Sequence, residues 1–398
     1  MKKKLLFVMN HLHCGGAEKA LVSLLQVIDY DHYEVDLLLF KPTGVFLKQV
    51  PEEVHVLPSP ENYPYFDMPL KTAAVKCVKR GAFRDLFVRF YLNFVMRTEK
   101  NEARREQLAW RHVVRTFRRS EREYDAAIGF LEKSPIYYVV DRVKAKRKLG
   151  WIHTNYSNLK MDANIDQPYF EKLDFIVTVS EECLHSLRNE FDLYHNKLKL
   201  ISNIVSPTII RNMANEAALS DPIQHQVVRI ITVSRLSYVK GIDLAIKACK
   251  ILIDRGYLVK WELLGYGTEK ELEENRALIN HYGLQSHFVL LGVVENPYPY
   301  LKNSLIVVQP SRFEGKSIAI DEAKILKKPI VVTNFSTAKD QINHEVNGLI
   351  VEMDPIAIAE GIERFIQDES LRSHVIDRLS EENLGTESEV NKLYELVH

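Results

Sequence analysis

The sequence predicts an α/β protein built from two doubly wound, Rossmann-like domains that face a cleft. Three observations carry this. The chain has 398 residues, more than one ordinary hydrophobic core accommodates. Short β-branched runs alternate with helical patterns almost from end to end, the pattern of a parallel sheet covered on both faces. A polar, strand-poor interval over 206–226 divides that alternation into two series.

In the first series, Lys4–Met9 is expected as a strand, Ala17–Val27 as a helix and Tyr33–Phe40 as a strand. Met1 to Met9 imitates the start of a signal peptide, but its apolar run stops at Asn10 with no small-residue cleavage site after it, so it reads as strand. Ala126–Phe130 is the next strand. Ser134-Pro135 then supplies a cap and a first helical residue, and Lys148–His153, Asp174–Val179 and Leu198–Ile201 follow as strands. The second series runs Val228–Val233 (strand), Gly241–Asp254 (helix), Lys260–Leu264 (strand), Lys270–His281 (helix) and His287–Leu290 (strand). Leu305–Val308 is a strand leading through a loop into a helix that ends at Lys327-Lys328, and Pro329–Val332 is the strand after it. The expected organisation is an N-terminal domain over 1–205, a linker over 206–226, a second domain over 227–372 and a helical tail over 373–398, with return of that tail to the first domain as one option.

The first domain is interrupted over 67–122. Between Lys71 and Arg122 stand 15 Lys/Arg and 5 Asp/Glu, a local excess of +10 in a chain whose formal net charge is zero. Phe83, Leu86, Phe87, Phe90, Tyr91, Phe94 and Val95 recur at helical spacing and predict one apolar face. That face either packs on the first domain, leaving the basic side solvated, or meets an anionic membrane surface or a lipid diphosphate.

Composition narrows the function classes. A hydrophobic share of 46% and a charged share of 27% are those of a globular protein, and the neutral balance gives no global case for nucleic acid. Four scattered cysteines without a C-x-x-C pair favour a reducing compartment and argue against a structural zinc site. The reading is cytoplasmic, with peripheral attachment to the inner face of the membrane as an option; no window has the apolar length of a membrane span.

The residues that carry chemistry cluster at expected strand ends, where such sheets bind ligands. Glu314 falls in the turn after Leu305–Val308, and Glu322 lies eight positions on, inside the helix. A strand-loop-helix with acids at both places can offer one carboxylate to a sugar and one to a ribose, with helix N–H groups between them for phosphate. Arg235 and Lys240 sit between a strand and a helix, where two cations neutralise a diphosphate without a metal; the alternative is an ordinary surface pair. Gly15 and Gly16 precede the first helix and allow close approach of an anion. Gly265 marks a further turn at a strand end. His153 ends a strand and is either a donor to a substrate hydroxyl or a satisfied structural histidine. Glu132 is available to an acceptor hydroxyl or is a surface acid. His11, His13 and Cys14 lack a second ligand cluster, so no metal is expected. Asp29-Tyr30-Asp31 lies at the wrong end of the sheet for metal chemistry and reads as a polar turn.

Taken together, Gly15-Gly16-Ala17-Glu18-Lys19, His153, Val179-Ser180-Glu181, Ser202-Asn203, Val233-Ser234-Arg235, Lys240-Gly241 and the pair Glu314/Glu322 resemble the retaining family 4 glycosyltransferases of the GT-B fold. The likeness covers nearly the whole chain and weakens in the basic insert. It implies transfer of a sugar from a nucleotide-diphosphate sugar, UDP favoured, to a saccharide acceptor, a lipid-linked one favoured, in surface polysaccharide synthesis. A hexosyltransferase or N-acetylhexosaminyltransferase without cofactor or metal is the expectation. By the resemblance, Arg235 and Lys240 clamp the diphosphate, Glu322 holds the ribose, and Glu314 faces the donor sugar. Gly315, Lys316, Ser317 and Ile318 lie by the phosphates, as do Gly15, Gly16 and Gly265, and His153 contacts the sugar. Glu132 and His13 fall on the acceptor side. Many relatives carry glycine where Ser317 stands and proline near Ala319, so sugar identity does not transfer. The other readings are a nucleotide-sugar epimerase on the same architecture, which would change its substrate with no acceptor present, and a non-catalytic partner subunit, which would be expected to lose the acids.

Overall fold

The computed structural model describes residues 2–13, 15–216 and 227–398. Cys14, considered above as a metal ligand, and the 217–226 part of the expected linker lie outside the described residues. The chain forms two compact units, Met1–Ile204 with Glu387–His398, and Val205–Thr386.

The first unit holds seven parallel strands: β1 (Lys3–Met9), β2 (Tyr33–Leu39), β3 (His55–Leu57), β4 (Glu123–Gly129), β5 (Lys144–Ile152), β6 (Phe175–Thr178) and β7 (Leu198–Leu200). Their order is β3-β2-β1-β4-β5-β6-β7. The central strands are buried on both faces, which is why they read as continuous apolar runs: Leu5 to Met9 and Ala126 to Ile128 are each at most 2% exposed. The second unit holds β8 (Val228–Val233), β9 (Val259–Leu264), β10 (Phe288–Gly292), β11 (Ile306–Gln309), β12 (Ile330–Thr333) and β13 (Leu349–Val351), ordered β10-β9-β8-β11-β12-β13. All pairings are parallel. Both sheets therefore reverse direction of winding beside their first strand, between β1 and β4 and between β8 and β11. At such a point the loops leaving the carboxyl ends diverge and leave a crevice.

Several expectations need correction. β3 and β13 do not appear in the sequence reading; each has three residues and lies at or near a sheet edge, too short for a pattern to register. Lys133, not Ser134, is the N-cap of the helix Ser134–Arg142, and it adopts φ +70°. The expected boundary at 372/373 falls inside the helix Glu369–Glu381, whose Val375 and Leu379 pack in the core of the second unit with Phe365. The final helix, Val390–Val397, belongs to the first unit, where Tyr394 stacks on Tyr33 at 4.6 Å and accepts the Asp29 N–H at 2.8 Å.

The basic insert forms the helices Leu70–Lys79, Phe83–Thr98 and Glu102–Val113. The face of the second helix that packs is not the phenylalanine face. Val88, Leu92 and Val95 are buried, and Val88 and Leu92 join Trp110 and Phe117 in the core, whereas Phe83, Phe87, Phe90 and Phe94 are 53% to 69% exposed. Residues 83 and 94 bound a run with apolar side chains on two opposite sides, and periodicity alone does not say which side meets the sheet. Among the described residues no helix is long and apolar enough to cross a membrane.

Candidate functional site

In the second unit, three loops leave the carboxyl ends of β8, β9 and β11. Two glycines with positive φ let them touch. Gly241 has φ +66°, and a Cβ there would stand 1.8 Å from the carbonyl oxygen of Pro310, on the β11 loop. Gly265 has φ +149°, and its Cβ would stand 1.8 Å from the carbonyl oxygen of Ser234, on the β8 loop. Any side chain at either position would force the loops apart. Arg312 ties the same loops together. Its backbone N–H donates to the Val239 carbonyl at 2.7 Å, and its guanidinium donates to the Tyr238 carbonyl and to both oxygens of Asp243 at 2.7 and 2.8 Å. Burial alone would raise the Asp243 carboxyl; the Arg312 hydrogen bonds and charge outweigh it and hold that group below its ordinary range.

This brings Lys240 and Glu314, 74 residues apart, into direct contact. Lys240 Nζ donates to Glu314 Oε2 at 2.5 Å. The other carboxylate oxygen accepts from Gln309 Nε2 at 2.8 Å and Ser311 Oγ at 2.7 Å. The Glu314 carbonyl accepts from Thr337 Oγ1 at 3.0 Å. The residue is 6% exposed, so these donors do the work that water would do at a surface. Glu322 lies on the helix Ile318–Ile325, is 1% exposed, and accepts from Tyr298 Oη at 3.1 Å. Arg235 differs from both: it is exposed, and its guanidinium has no side-chain partner among the described residues. Arg235 and Lys240 are thus not a surface pair. Lys240 is the partner of Glu314, and Arg235 is exposed on the same loop.

One expectation for the β11 loop changes. The Ser317 N–H is not open to a ligand: it donates to Gln341 Oε1 at 2.8 Å, while Gln341 Nε2 donates back to the Ser317 carbonyl at 2.8 Å and to Asp321 Oδ1 at 2.9 Å. Burial raises the Asp321 carboxyl, and Lys316 Nζ stands 3.8 Å from its second oxygen. Gly315, Lys316 and Ile318 flank this clasp in the loop and at the helix start. The sequence analysis does not name Gln309, Ser311, Arg312, Tyr298 or Gln341; Arg312, Tyr298 and Gln341 act through contacts distant in the chain, whereas Gln309 and Ser311 lie five and three residues before the acid they support and carry a local signal.

In the first unit, the loops after β1, β4 and β5 carry the remaining residues. Glu132 is not a surface acid. It is 7% exposed and accepts the His153 N–H at 3.3 Å and the Thr154 hydroxyl at 3.3 Å, tying the ends of β4 and β5. His153 is not a satisfied structural histidine either. Its ring lies 4.9 Å from the Phe130 ring, and neither buried ring nitrogen has a hydrogen-bond partner. Burial pushes its imidazole down to about 3. The unfolded chain therefore takes up a proton below about pH 6.5 that the folded ring refuses. Stability supplied by the neutral ring is full above that pH and is lost as pH falls toward the folded value. The expected slope is about 1.4 kcal/mol per pH unit across this window. Urea denaturation at neutral and mildly acidic pH would show that slope, and His153→Leu would flatten it; equal slopes in the two proteins would remove the assignment.

His13 is exposed and lies 3.2 Å from Thr43 Oγ1 through Nε2. Gly15 is the N-cap of the helix Gly16–Leu25. A Cβ at Gly16 meets nothing within 4 Å, so no contact within the described residues asks for glycine there. The two residues stand at the helix N-terminus beside the β1/β4 divergence. Asp29 sits in a turn at the opposite, amino edge of the sheet, bonded to His32 at 2.7 Å. Among the described residues no group of three or more His, Cys, Asp or Glu is placed to hold a metal ion.

Known proteins resemble this chain in sequence over part of its length and in fold over nearly all of it. The family model described as glycosyl transferases group 1 matches residues 220–381. A capsular polysaccharide biosynthesis glycosyltransferase, CapM, of Staphylococcus aureus is 35% identical over 145 residues, 36% of this chain and 38% of the relative. From Campylobacter jejuni, N-acetylgalactosamine-N,N'-diacetylbacillosaminyl-diphospho-undecaprenol 4-alpha-N-acetylgalactosaminyltransferase is 29% identical over 207 residues, 51% of this chain and 53% of the relative. The chain thus spans about half, or less, of the length of these curated relatives. The crystal structure of Anabaena HepE in complex with UDP-glucose superposes with a TM-score of 0.66 at 16% identity, covering 99% of this chain and 98% of that one. That likeness establishes the fold, the two Rossmann-like domains of GT-B.

Proposed function

We propose, from the premise that residues 220–381 are a glycosyl transferases group 1 domain, that this chain is a retaining glycosyltransferase of bacterial surface-polysaccharide synthesis. The donor is a UDP-sugar and the acceptor is a hydroxyl of a lipid-linked saccharide. The observation that carries the reading is the Lys240–Glu314 contact, set by Gly241 at the β8/β11 divergence with Arg235 exposed on the same loop. Breaking the bond from the anomeric carbon to the diphosphate builds negative charge on the departing oxygen. Arg235 and Lys240 stabilise that charge more in the transition state than in the ground state. Glu314 accepts hydroxyl donors of the sugar, and Glu322 accepts those of the ribose. The acceptor oxygen attacks from the face the diphosphate leaves, the carbon–oxygen bond to the acceptor forms as the one to phosphate breaks, and the acceptor proton passes to the leaving phosphate. Two cations neutralise the diphosphate, so no metal is required.

Two similarities support the substrate classes. The Campylobacter relative is named for a diphospho-undecaprenol-linked saccharide, and the Anabaena structure holds UDP-glucose. The test is a screen of the purified chain against UDP-sugars with lipid-linked saccharide acceptors, with and without a chelator, reading the anomeric configuration of the product by NMR. An α-linked product from an α-linked donor, insensitive to chelator, is the expected result. Conversion of the sugar nucleotide without acceptor would replace this reading by epimerisation, and no turnover across the screen would remove it.

A further inference from the structure

We infer that the helical hairpin of the insert, Leu70–Lys79 and Phe83–Thr98, is a docking surface for an anionic lipid bilayer. Phe83, Phe87, Phe90 and Phe94 follow one another at spacings of four, three and four and form a single stripe along the second helix. They are 67%, 69%, 53% and 62% exposed, while the opposite side of the same helix is seated on the core through Val88 and Leu92. The first helix adds Val75 and Val78, 56% and 54% exposed. Scattered exposed apolar residues are ordinary; four phenylalanines in register on one helix are an interaction surface.

Charge selects the occupant. From Lys71 to Lys100 the exposed charged residues are Lys71, Lys76, Lys79, Arg80, Arg84, Arg97 and Lys100, all cationic. The two described acids of this stretch are withdrawn: Asp85 is 6% exposed, and Glu99 is hydrogen-bonded to Arg104 at 2.8 Å. An aromatic stripe flanked only by cations matches a surface that is apolar just below a layer of negative headgroups. A second copy of the chain would bring two sets of like charges together, which disfavours self-association through this face. The helix has 16 residues and lies on the protein rather than crossing anything, so the contact is interfacial. This inference stands independently of the transferase reading.

The test is flotation of the full chain with phosphatidylcholine vesicles, with and without phosphatidylglycerol, and without any sugar nucleotide. Binding to the anionic vesicles is expected to exceed binding to the neutral ones by on the order of tenfold or more and to fall as salt is raised. The double substitution Phe87→Ser/Phe90→Ser removes no core contact. It is expected to cut vesicle binding on the order of tenfold while leaving the circular dichroism spectrum unchanged. Transfer to a water-soluble acceptor, measured separately, would be unaffected. Indifference of the parent chain to anionic vesicles would overturn the inference, as would a double variant that floats like the parent. Sedimentation showing a dimer that the double variant dissolves, with vesicle binding unchanged, would overturn it in favour of a second copy.

Discussion

Glu314→Gln is expected to reduce turnover by about 100- to 1,000-fold while the protein still folds cooperatively. The reason is in the donor count. The carboxylate accepts from Lys240 on one oxygen and from Gln309 and Ser311 on the other. An amide keeps one acceptor oxygen and turns the second position into a donor. Whichever way it is placed, an N–H₂ group faces either the Lys240 ammonium or the Gln309 amide. Lys240 then loses its anchor, and a cation that the proposed mechanism needs at one place becomes mobile. Displacements of about an ångström at such a group are enough for large rate losses. The Lys240 side chain is 19% exposed, so folding survives the loss of the pair better than it would at a fully buried one. Steady-state kinetics with the best donor would decide it. A purified variant with parental kcat would remove Glu314 from the mechanism.

Arg235→Ala is the complementary case. Its guanidinium is exposed and has no side-chain partner among the described residues, so its removal is expected to leave the melting temperature within error of the parent. If it clamps the diphosphate, kcat/KM for the sugar nucleotide falls by about 100-fold or more, and UDP binding measured by calorimetry weakens with it. Arg235→Lys should recover part of the loss, since a point charge replaces the charge but not the two-pronged geometry. A fall in stability with unchanged kcat/KM would mean that the residue serves the fold instead.

The two cases differ in how far the sequence could foresee them. Both residues were visible, because each follows a β-branched run that ends in polar residues. The strands themselves were legible for the same reason: Ile230, Ile231, Val307, Val308 and Val331 are buried on both faces of the sheet, so their runs are unbroken and stand out against the helices. The long-range support of Glu314 was not legible. Lys240 is 74 residues away and Thr337 is 23, and neither local propensity nor spacing carries such separations. Arg312 carries no signal in the local pattern; its two bonds to Asp243 are what show it holding the β8 and β11 loops together.

At Ser317 and in the insert the expected element is present and the structure decides its partners. The helix at Ile318 stands where the sequence predicts it, but the Ser317 N–H expected near phosphate is occupied by Gln341. The second insert helix is likewise expected, with its phenylalanine face either packing or meeting a membrane; the phenylalanines are exposed, and Val88 and Leu92 are the residues that pack. A helix with apolar residues on two sides has two equivalent ways to sit, and only contact with Trp110 and Phe117 chooses between them.

What the sequence determined alone was the alternation of strand and helix, and with it two parallel sheets whose carboxyl edges carry Arg235, Lys240, Glu314, Glu132 and His153. These follow from short-range patterns, since burial on both faces of a strand and the start of a helix each leave a mark within a few residues. Tertiary structure decided which of these side chains are paired, which are open and which face of the insert is exposed. Those outcomes depend on close approach between loops far apart in the chain, such as the approach of Gly241 to Pro310 and of Gly265 to Ser234, and on competition among donors for one acceptor. Neither has any periodicity in the sequence.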